Sequence, residues 1–198
     1  CNHPFKDYCA AGLAFMLAGA LRRCLRERGF FSKRPEPDLR VLLDLVGIAT
    51  VADVVPLQGA NRVLVSAGLR QLASTQRVGL RALFAIADTD LCNATSTDIA
   101  FRIAPRINAR GRIAHAEDAV DLMLTRDPDR ARMLAASLEA CNRERRALER
   151  QATKQAIARV ETIAGEHSAI VAENPEWHPG ILGLVASRLV ARFHCPSI

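Results

Sequence analysis

The sequence predicts a mostly helical α/β protein of one or two domains. From Asp127 to Ala164, apolar residues recur mainly every three or four positions, with no glycine and with proline only at the second position. That spacing is typical of one face of a long helix. After Gly165 the pattern changes, because the apolar run Ser168 to Ala172 indicates a short buried strand. The apolar fraction of 49% is large enough for a buried core, which excludes a disordered chain.

The composition restricts the class of protein further. A net charge of +6 and a pI of about 9.4 permit an anionic partner, with nucleic acid the first candidate. The six cysteines are scattered and form no CxxC pair, so the sequence predicts neither a zinc knuckle nor a disulfide framework. The longest apolar run, Cys9 to Leu21, is 13 residues long and too short to cross a bilayer. Because the chain begins with Cys1, we expect it to be an internal part of a longer protein.

Helices are predicted along most of the chain before the long stretch. Cys9 to Arg28 begins apolar, ends basic and is followed by Gly29, which is a typical helix stop. Asp38 is a predicted N-cap for a second helix, which is so apolar that we expect it to be buried on most sides. Further helices are predicted from Asn61 to Ala73, from Val78 to Ala87, from a cap at Ser96 or Thr97 to near Pro105, and from His115 to Thr125.

The long stretch begins with Asp127 as a helix cap and Pro128 in the first turn. A helix over this length spans roughly 55 Å, more than a compact domain needs, so we expect it to join two bodies. A coiled-coil arm is the alternative that its narrow apolar stripe leaves open. Arginine and glutamate are concentrated in its middle, and a solvated face of mutually paired charges explains them without a ligand.

Asp53 lies among β-branched and other apolar residues, in the segment Thr50 to Leu57. We therefore expect a buried carboxylate, which needs hydrogen bonds or a metal ion because its desolvation is costly. The residues alone favour an aspartate that caps a helix or forms a turn before Pro56. A metal ligand is the alternative.

Two other segments are rich in groups that bind anions. Pro105 to Arg112 contains three arginines, an asparagine and a glycine, a set that suits phosphate contacts or, alternatively, a basic surface loop. Further along, Trp177 to Gly180 opens a helix after the predicted strand, which leaves free backbone N–H groups for an anion. His178 lies at this helix start and Arg188 about two turns into the helix, although a lone histidine is more often structural.

Three stretches of the sequence resemble the RecJ exonuclease family, in the family's order. They are DLVGIATVADVVPLQGANRVLVSAGL, RIAPRINARGRIAHAEDAV and EWHPGILGLVASRLVARFHCP. The resemblance extends over essentially all 198 residues. The family belongs to the DHH phosphoesterase superfamily, in which a long helix connects a DHH domain to a smaller DHHA1 domain. The resemblance therefore implies the C-terminal, mainly helical part of a DHH domain at 1–126, the connecting helix at 127–165 and the start of an α/β DHHA1 domain at 166–198.

The resemblance also implies a chemistry. In the family, aspartates and histidines of four motifs hold two divalent ions, manganese or magnesium, for the hydrolysis of single-stranded DNA from its 5′ end. Only the fourth motif is present here, and its metal ligand matches Asp53, so the resemblance implies a catalytic role that spacing alone does not. Contacts with the DNA backbone are implied for Arg106, Asn108, Arg112, His178, Gly180 and Arg188.

Several further expectations come from the resemblance alone. The other metal motifs are expected before Cys1 and a DHHA1 motif after Ile198, so we expect the 198 residues by themselves to be inactive. The implied ligand is single-stranded DNA, and the implied partners are single-strand-binding protein and a helicase. The implied enzyme is a cytoplasmic monomer of DNA repair and recombination. Two alternatives remain open: a related phosphodiesterase acting on short oligonucleotides, cyclic dinucleotides or pyrophosphate, and a scaffold that binds single strands without metals.

Overall fold

The structure, a computed structural model, describes residues 7–113, 117–162 and 168–198. Its helices are α1 (Ala10–Glu27), α2 (Leu43–Ala52), α3 (Gly59–Ala73), α4 (Val78–Ile86), α5 (Ser96–Asp98), α6 (Ala104–Ile113), α7 (Glu117–Leu124), α8 (Pro128–Glu161) and α9 (Leu182–Phe193). Two 3-10 turns, Leu39–Leu42 and Pro179–Ile181, precede α2 and α9, and a π-helical turn, Ile99–Ile103, joins α5 to α6. None of the described helices combines the length and the apolar character that crossing a membrane requires.

The described residues divide into two compact units. The first unit comprises the described residues of Cys1–Pro105 and Leu122–Ala135, and the second those of Arg106–Asp121 and Ala136–Ile198. The largest buried side chains of the first unit are Leu72, Leu80, Leu83, Phe84, Ile99, Ile103 and Leu122. The core of the second unit is formed by Ala152, Ala156, Val160, Ile170, Trp177, Ile181, Val185, Leu189 and Cys195.

In the first unit, α2 and α3 pack with their backbones in contact. A Cβ atom added to Gly68 would lie 2.6 Å from the Leu43 carbonyl oxygen and 2.7 Å from the Gly47 Cα atom. Such distances leave no room for a side chain, so two glycines permit this close crossing. The prediction that α2 is buried on most sides is confirmed, since six of its ten residues are buried. α2 ends at Ala52, and Asp53 follows as its C-cap residue.

Local sequence signals predicted several helix ends correctly. The first helix is followed by Gly29, which adopts a left-handed φ of +71°. Asp38 caps the segment that leads into α2, and its side chain accepts a hydrogen bond from the Arg40 backbone N–H at 3.0 Å. Hydrogen bonds from the Arg40 guanidinium lower the pKa of the Asp38 carboxyl to about 2. The predicted cap at Ser96 or Thr97 is wrong by one or two residues, because Thr95 caps α5 in a reciprocal pair with Asp98.

The predicted helix end near Pro105 is wrong, and so is the alternative of a basic loop after it. Pro105 lies in the first turn of α6, which continues to Ile113. Proline is tolerated in the first turn of an α-helix, because its missing N–H would have no partner there. The π-helical turn Ile99–Ile103 interrupts the α-helical hydrogen-bond pattern just before it, so that a new first turn begins at Ala104.

The strand predicted from Ser168 to Ala172 is present only as a short pairing within the described part of the chain. A parallel bridge joins Ile170 to Ser197. The Ile170 N–H donates to Pro196 at 2.8 Å, and the Ile198 N–H donates to the Ile170 carbonyl at 2.9 Å. The described residues are therefore mainly helical, as expected for the helical part of the predicted α/β protein.

The predicted long helix is confirmed as α8, which runs without interruption from Pro128 to Glu161. Its predicted end at Ala164 and Gly165 lies outside the described residues, as does the predicted start of α7 at His115. In the second unit, its buried residues Ala152, Ala156 and Val160 pack into the same core as α9. This part of the apolar stripe is thus covered within the chain and needs no coiled-coil partner.

Ala147 is an exposed residue near the middle of α8 and tests its continuity. In Ala147→Pro the backbone loses an N–H donor and the ring meets the preceding turn, so we expect the free energy of unfolding to fall by about 3 kcal/mol or more. Ala147→Gly keeps the N–H, and we expect a loss of about 1 kcal/mol. Urea unfolding followed by circular dichroism measures both values. Equal losses in the two variants would contradict a continuous helix here.

Candidate metal ligand and nucleic-acid interface

Asp53 is the C-cap residue of α2, and its backbone N–H donates to the Ala49 carbonyl at 3.0 Å. Its side chain is exposed, so the expectation of a buried carboxylate is wrong. The preceding Val51 is buried on α2, whereas Asp53 lies beyond the last helical residue. A carboxylate gains no stability at a helix C-terminus, where the helix dipole is negative. The same negative end attracts a divalent cation, and carboxylate oxygens are suitable ligands for Mg²⁺ and Mn²⁺.

The residue after Asp53 has an unusual backbone conformation. Val54 adopts a φ of +57°, and its side chain is 87% exposed. A β-branched residue in the left-handed region is strained by roughly 1–3 kcal/mol, and such residues are concentrated at functional turns. Neither the strain of Val54 nor the position of the Asp53 carboxylate contributes to stability. Both features therefore indicate that this turn serves a function.

Asn61 holds the other end of this turn, at Pro56. The sequence did not predict this role of Asn61. Its buried side-chain amide donates to the carbonyls of Pro56 at 3.0 Å and Asp7 at 2.8 Å. The sequence predicts Asn61 as the start of α3, but the helix begins at Gly59 and Asn61 lies in its first turn. An asparagine near a helix start does not by itself distinguish a cap from a buried anchor, so the sequence carries no signal for this role.

A complete metal centre is not found among the described residues. In ranges 7–113, 117–162 and 168–198, no three histidine, cysteine, aspartate or glutamate side chains come together as a potential metal site. Asp53 fits a divalent ion as one oxygen ligand of a larger set, because it is exposed and lies at the negative end of a helix.

The six residues predicted to contact nucleic acid all belong to the second unit, whereas Asp53 belongs to the first. On α6, Asn108 and Arg112 are exposed, but Arg106 is only 8% exposed. The Nε atom of Arg106 lies 2.6 Å from a carboxylate oxygen of Glu139 on α8. This ion pair anchors α6 on α8, whereas Asn108 and Arg112 are exposed donors on the same helix.

The structure brings the arginine-rich helix α6 together with the start of α9. A Cβ atom added to Gly180 would lie 1.8 Å from the Arg112 carbonyl oxygen, so any side chain at Gly180 clashes with the α6 backbone. The Arg112 guanidinium also donates to the Gly180 carbonyl at 3.5 Å. Two stretches that are 68 residues apart in sequence therefore meet at one point of the second unit.

His178 caps the turn that contains Gly180. Its Nδ1 atom accepts a hydrogen bond from the Gly180 N–H at 3.1 Å, so a neutral His178 carries its proton on Nε2. The preceding Trp177 is buried and donates from Nε1 to Gln155 of α8 at 2.7 Å. The structural role expected for a lone histidine is thus present, in the form of a cap, and it leaves one N–H of the half-buried ring for another acceptor.

Arg188 lies on the exposed side of α9 and pairs with α8. Its Nε atom donates to Glu149 at 3.2 Å, and the other carboxylate oxygen of Glu149 accepts from Arg145 at 2.7 Å. Arg145 is buried, whereas the Arg188 side chain is 67% exposed. The two arginines thus share one carboxylate, and Arg188 is held in a fixed position at the surface.

No family model matches the sequence. The chain is 40% identical to the single-stranded-DNA-specific exonuclease RecJ of Dickeya dadantii, over 100% of this chain and 36% of that protein. It is 39% identical to the single-stranded-DNA-specific exonuclease RecJ of Bacillus subtilis, over 100% of this chain and 24% of that protein. The chain thus spans little more than a third of the length of the first relative and about a quarter of the second.

Solved structures show the same likeness. The crystal structure of RecJ from Thermus thermophilus in complex with Mg²⁺ matches with a TM-score of 0.84 at 36% identity, over 99% of this chain and 29% of that chain. A crystal structure of exonuclease RecJ bound to manganese matches with a TM-score of 0.82 at 36% identity, over 99% of this chain and 47% of that chain. The helical arrangement described here therefore resembles that of a segment of these RecJ crystal structures.

Gly180 and Gly183 form a matched pair for testing the contact between α6 and the start of α9. A Cβ atom at Gly183 meets no atom within 4 Å, in contrast to the clash at Gly180. We expect Gly180→Ala to lower the melting temperature clearly, because the backbone at Arg112 has to move. Gly183→Ala lies within α9 and should be neutral or stabilising by up to about 1 kcal/mol. Differential scanning calorimetry of both variants measures this, and a Gly180→Ala variant as stable as the parent would contradict the close approach.

Proposed function

We propose that this chain, a homologue of the RecJ exonucleases over its whole length, is part of a single-stranded-DNA-specific 5′→3′ exonuclease. Within such an enzyme it supplies one metal ligand and a surface that holds the DNA backbone. The observation that carries the proposal is the contact between Arg112 and Gly180. It unites in one compact unit the two stretches whose residue types suit phosphate binding.

The donors of the second unit have distinct roles in this proposal. Asn108 and Arg112 bind phosphate oxygens directly, because both are exposed on α6. His178 donates from Nε2, since its Nδ1 is occupied by the Gly180 N–H. Arg188 offers its terminal nitrogens, because only its Nε atom engages Glu149. For Arg106, a DNA contact stays a prediction, and its ion pair with Glu139 supports an additional role in holding α6 in place.

In the first unit, Asp53 is proposed to hold a divalent cation, manganese or magnesium, as one ligand of a two-ion centre. Bound divalent ions supply Lewis acidity at the phosphate and a hydroxide nucleophile at neutral pH. The chain's own contribution is an exposed carboxylate on a turn whose other end Asn61 anchors. A single carboxylate cannot complete the coordination of two ions, so the 198 residues by themselves are expected to be inactive.

The remaining features of the proposal are supported by the likeness to RecJ alone. They are the division into a DHH part at 1–126, a connecting helix at 127–165 and a DHHA1 part at 166–198. They also include a monomeric, cytoplasmic enzyme of DNA repair and recombination, with single-strand-binding protein and a helicase as partners. The uninterrupted α8 is consistent with the connecting helix of this layout.

Asp53→Asn in the full-length enzyme tests the proposal. The amide is a weaker metal ligand than the carboxylate. We therefore expect the rate of hydrolysis of 5′-labelled single-stranded DNA in manganese to fall by more than about 100-fold. That is more than the loss typical of changing a residue that only supports a metal ligand. Binding of the same DNA in the presence of a chelator should remain. Near-normal turnover by Asp53→Asn would remove Asp53 from the metal centre.

Asp88→Asn is the matched control. Asp88 is also exposed, follows the end of α4 and has a φ of +49°, a conformation that asparagine adopts readily. The charge change is the same as at Asp53, so the control should keep the parent's turnover. Equal losses in both variants would indicate a general charge effect and contradict the assignment of Asp53.

A further inference from the structure

Four cations form a row on the exposed face of α8 in the second unit. The row consists of Arg143, Arg146, Arg150 and Lys154, all of which are exposed. Their spacing of three, four and four residues places them on one side of the helix. The row extends over roughly 16 Å, and its later members are separated by a rise of roughly 6 Å each.

The expectation that the charges of this helix are mutually paired is only partly correct. Arg145 pairs with Glu149, and Arg143 lies 3.7 Å from Glu139. Arg146, Arg150 and Lys154, by contrast, form no ion pair or hydrogen bond with any side chain in the described ranges. Like charges four residues apart repel one another and weaken a helix. The row therefore opposes helix stability, and a bound anion would relieve this repulsion.

A groove lies beside the row, between α8 and α9. It has a volume of about 550 Å³. Arg150 and Lys154 line it from α8 and Arg188 from α9. Its two carboxylates are already engaged, because Glu149 pairs with Arg145 and Arg188, and Glu161 pairs with Arg192 at 2.6 Å. The cations of the row thus lie beside a groove in which both carboxylates are already paired with other arginines.

We propose that the row binds successive phosphates of single-stranded nucleic acid along α8, as a second contact surface of the second unit. The proposal rests on the function proposed above and extends the bound strand beyond α6 and the start of α9. The regular rise between its cations suits a polyanion whose charges are evenly spaced. An acidic protein segment is the less suitable partner, because the chain is similar to exonucleases that are specific for single-stranded DNA.

The experiment measures binding of fluorescent single-stranded DNA to the full-length enzyme by anisotropy, with a chelator present so that no hydrolysis occurs. The row variant is Arg146→Gln/Arg150→Gln/Lys154→Gln. The logarithm of the binding constant falls linearly with the logarithm of the salt concentration, by about 0.7 for each phosphate contact with a single strand. We therefore expect the slope of the row variant to be shallower than the parent's by roughly 2.

Two control variants test whether the effect depends on the position of the removed cations and on their charge. Arg28→Gln/Lys33→Gln/Arg34→Gln removes three exposed cations of the first unit and should keep the parent's slope. Arg146→Lys/Arg150→Lys/Lys154→Arg keeps the charges of the row and should keep most of the binding. Circular dichroism of the row variant should show parental helicity, since removing like charges does not weaken α8.

Three results would overturn the proposal. A row variant with the parent's slope would show that the row does not contact the strand. In the second such result, poly-glutamate inhibits DNA binding by the parent but not by the row variant, while the two proteins have the same salt slope for DNA. That result would show that the row binds an acidic protein segment instead. A parent that fails to bind single-stranded DNA would refute the proposed function together with the row, and this result is distinct from a failure of the row alone.

Discussion

Two carboxylates of α8, Glu139 and Glu149, hold together the part of the chain that carries the proposed nucleic-acid contacts. Glu139 pairs with Arg106 of α6, and Glu149 pairs with both Arg145 and Arg188. A buried guanidinium is tolerated only with a well-placed partner, and loss of the partner leaves an uncompensated charge that costs roughly 3–5 kcal/mol. Because these pairs join α6 and α9 to α8, the close contact of Arg112 with Gly180 depends on them.

The charged residues of this chain fall into two groups with different physical roles. Arg106 and Arg145 are buried and paired, so their contribution is to position helices. Arg112 and the row on α8 are exposed, and they face solvent where a polyanion can reach them. Asp53 resembles the second group, because its exposed carboxylate at a helix C-terminus contributes nothing to folding. Arg188 and His178 belong to both groups, because each makes a structural contact and keeps a donor for the proposed ligand.

Much of the fold could be predicted from local signals. The helix stop at Gly29, the cap at Asp38 and the unbroken pattern of α8 depend only on residues within a few positions of one another. The course of the chain through Pro105 could not be predicted, because a π-helical turn moves the proline into a tolerated position. Local sequence also suggested that Asp53 is buried, whereas the structure places its exposed side chain beyond the last residue of α2.

The candidate site was predictable in its residue types but not in its assembly. Arginine, asparagine, histidine and glycine at these positions suit phosphate binding, but the sequence alone also left structural roles open. The meeting of Arg112 with Gly180 is a contact between distant segments that no local pattern encodes. The same holds for the ion pair of Arg106 with Glu139, which separates an anchoring arginine from its exposed neighbours on α6.

We propose that the exposed Asp53 carboxylate is a metal ligand of a RecJ-like exonuclease. Anomalous diffraction from crystals of the full-length enzyme grown with manganese tests it most directly. We predict an anomalous peak about 2.1 Å from an Asp53 carboxylate oxygen, a distance expected for a small octahedral cation. Manganese coordinated entirely by other residues, with Asp53 outside the coordination shell, would contradict the claim.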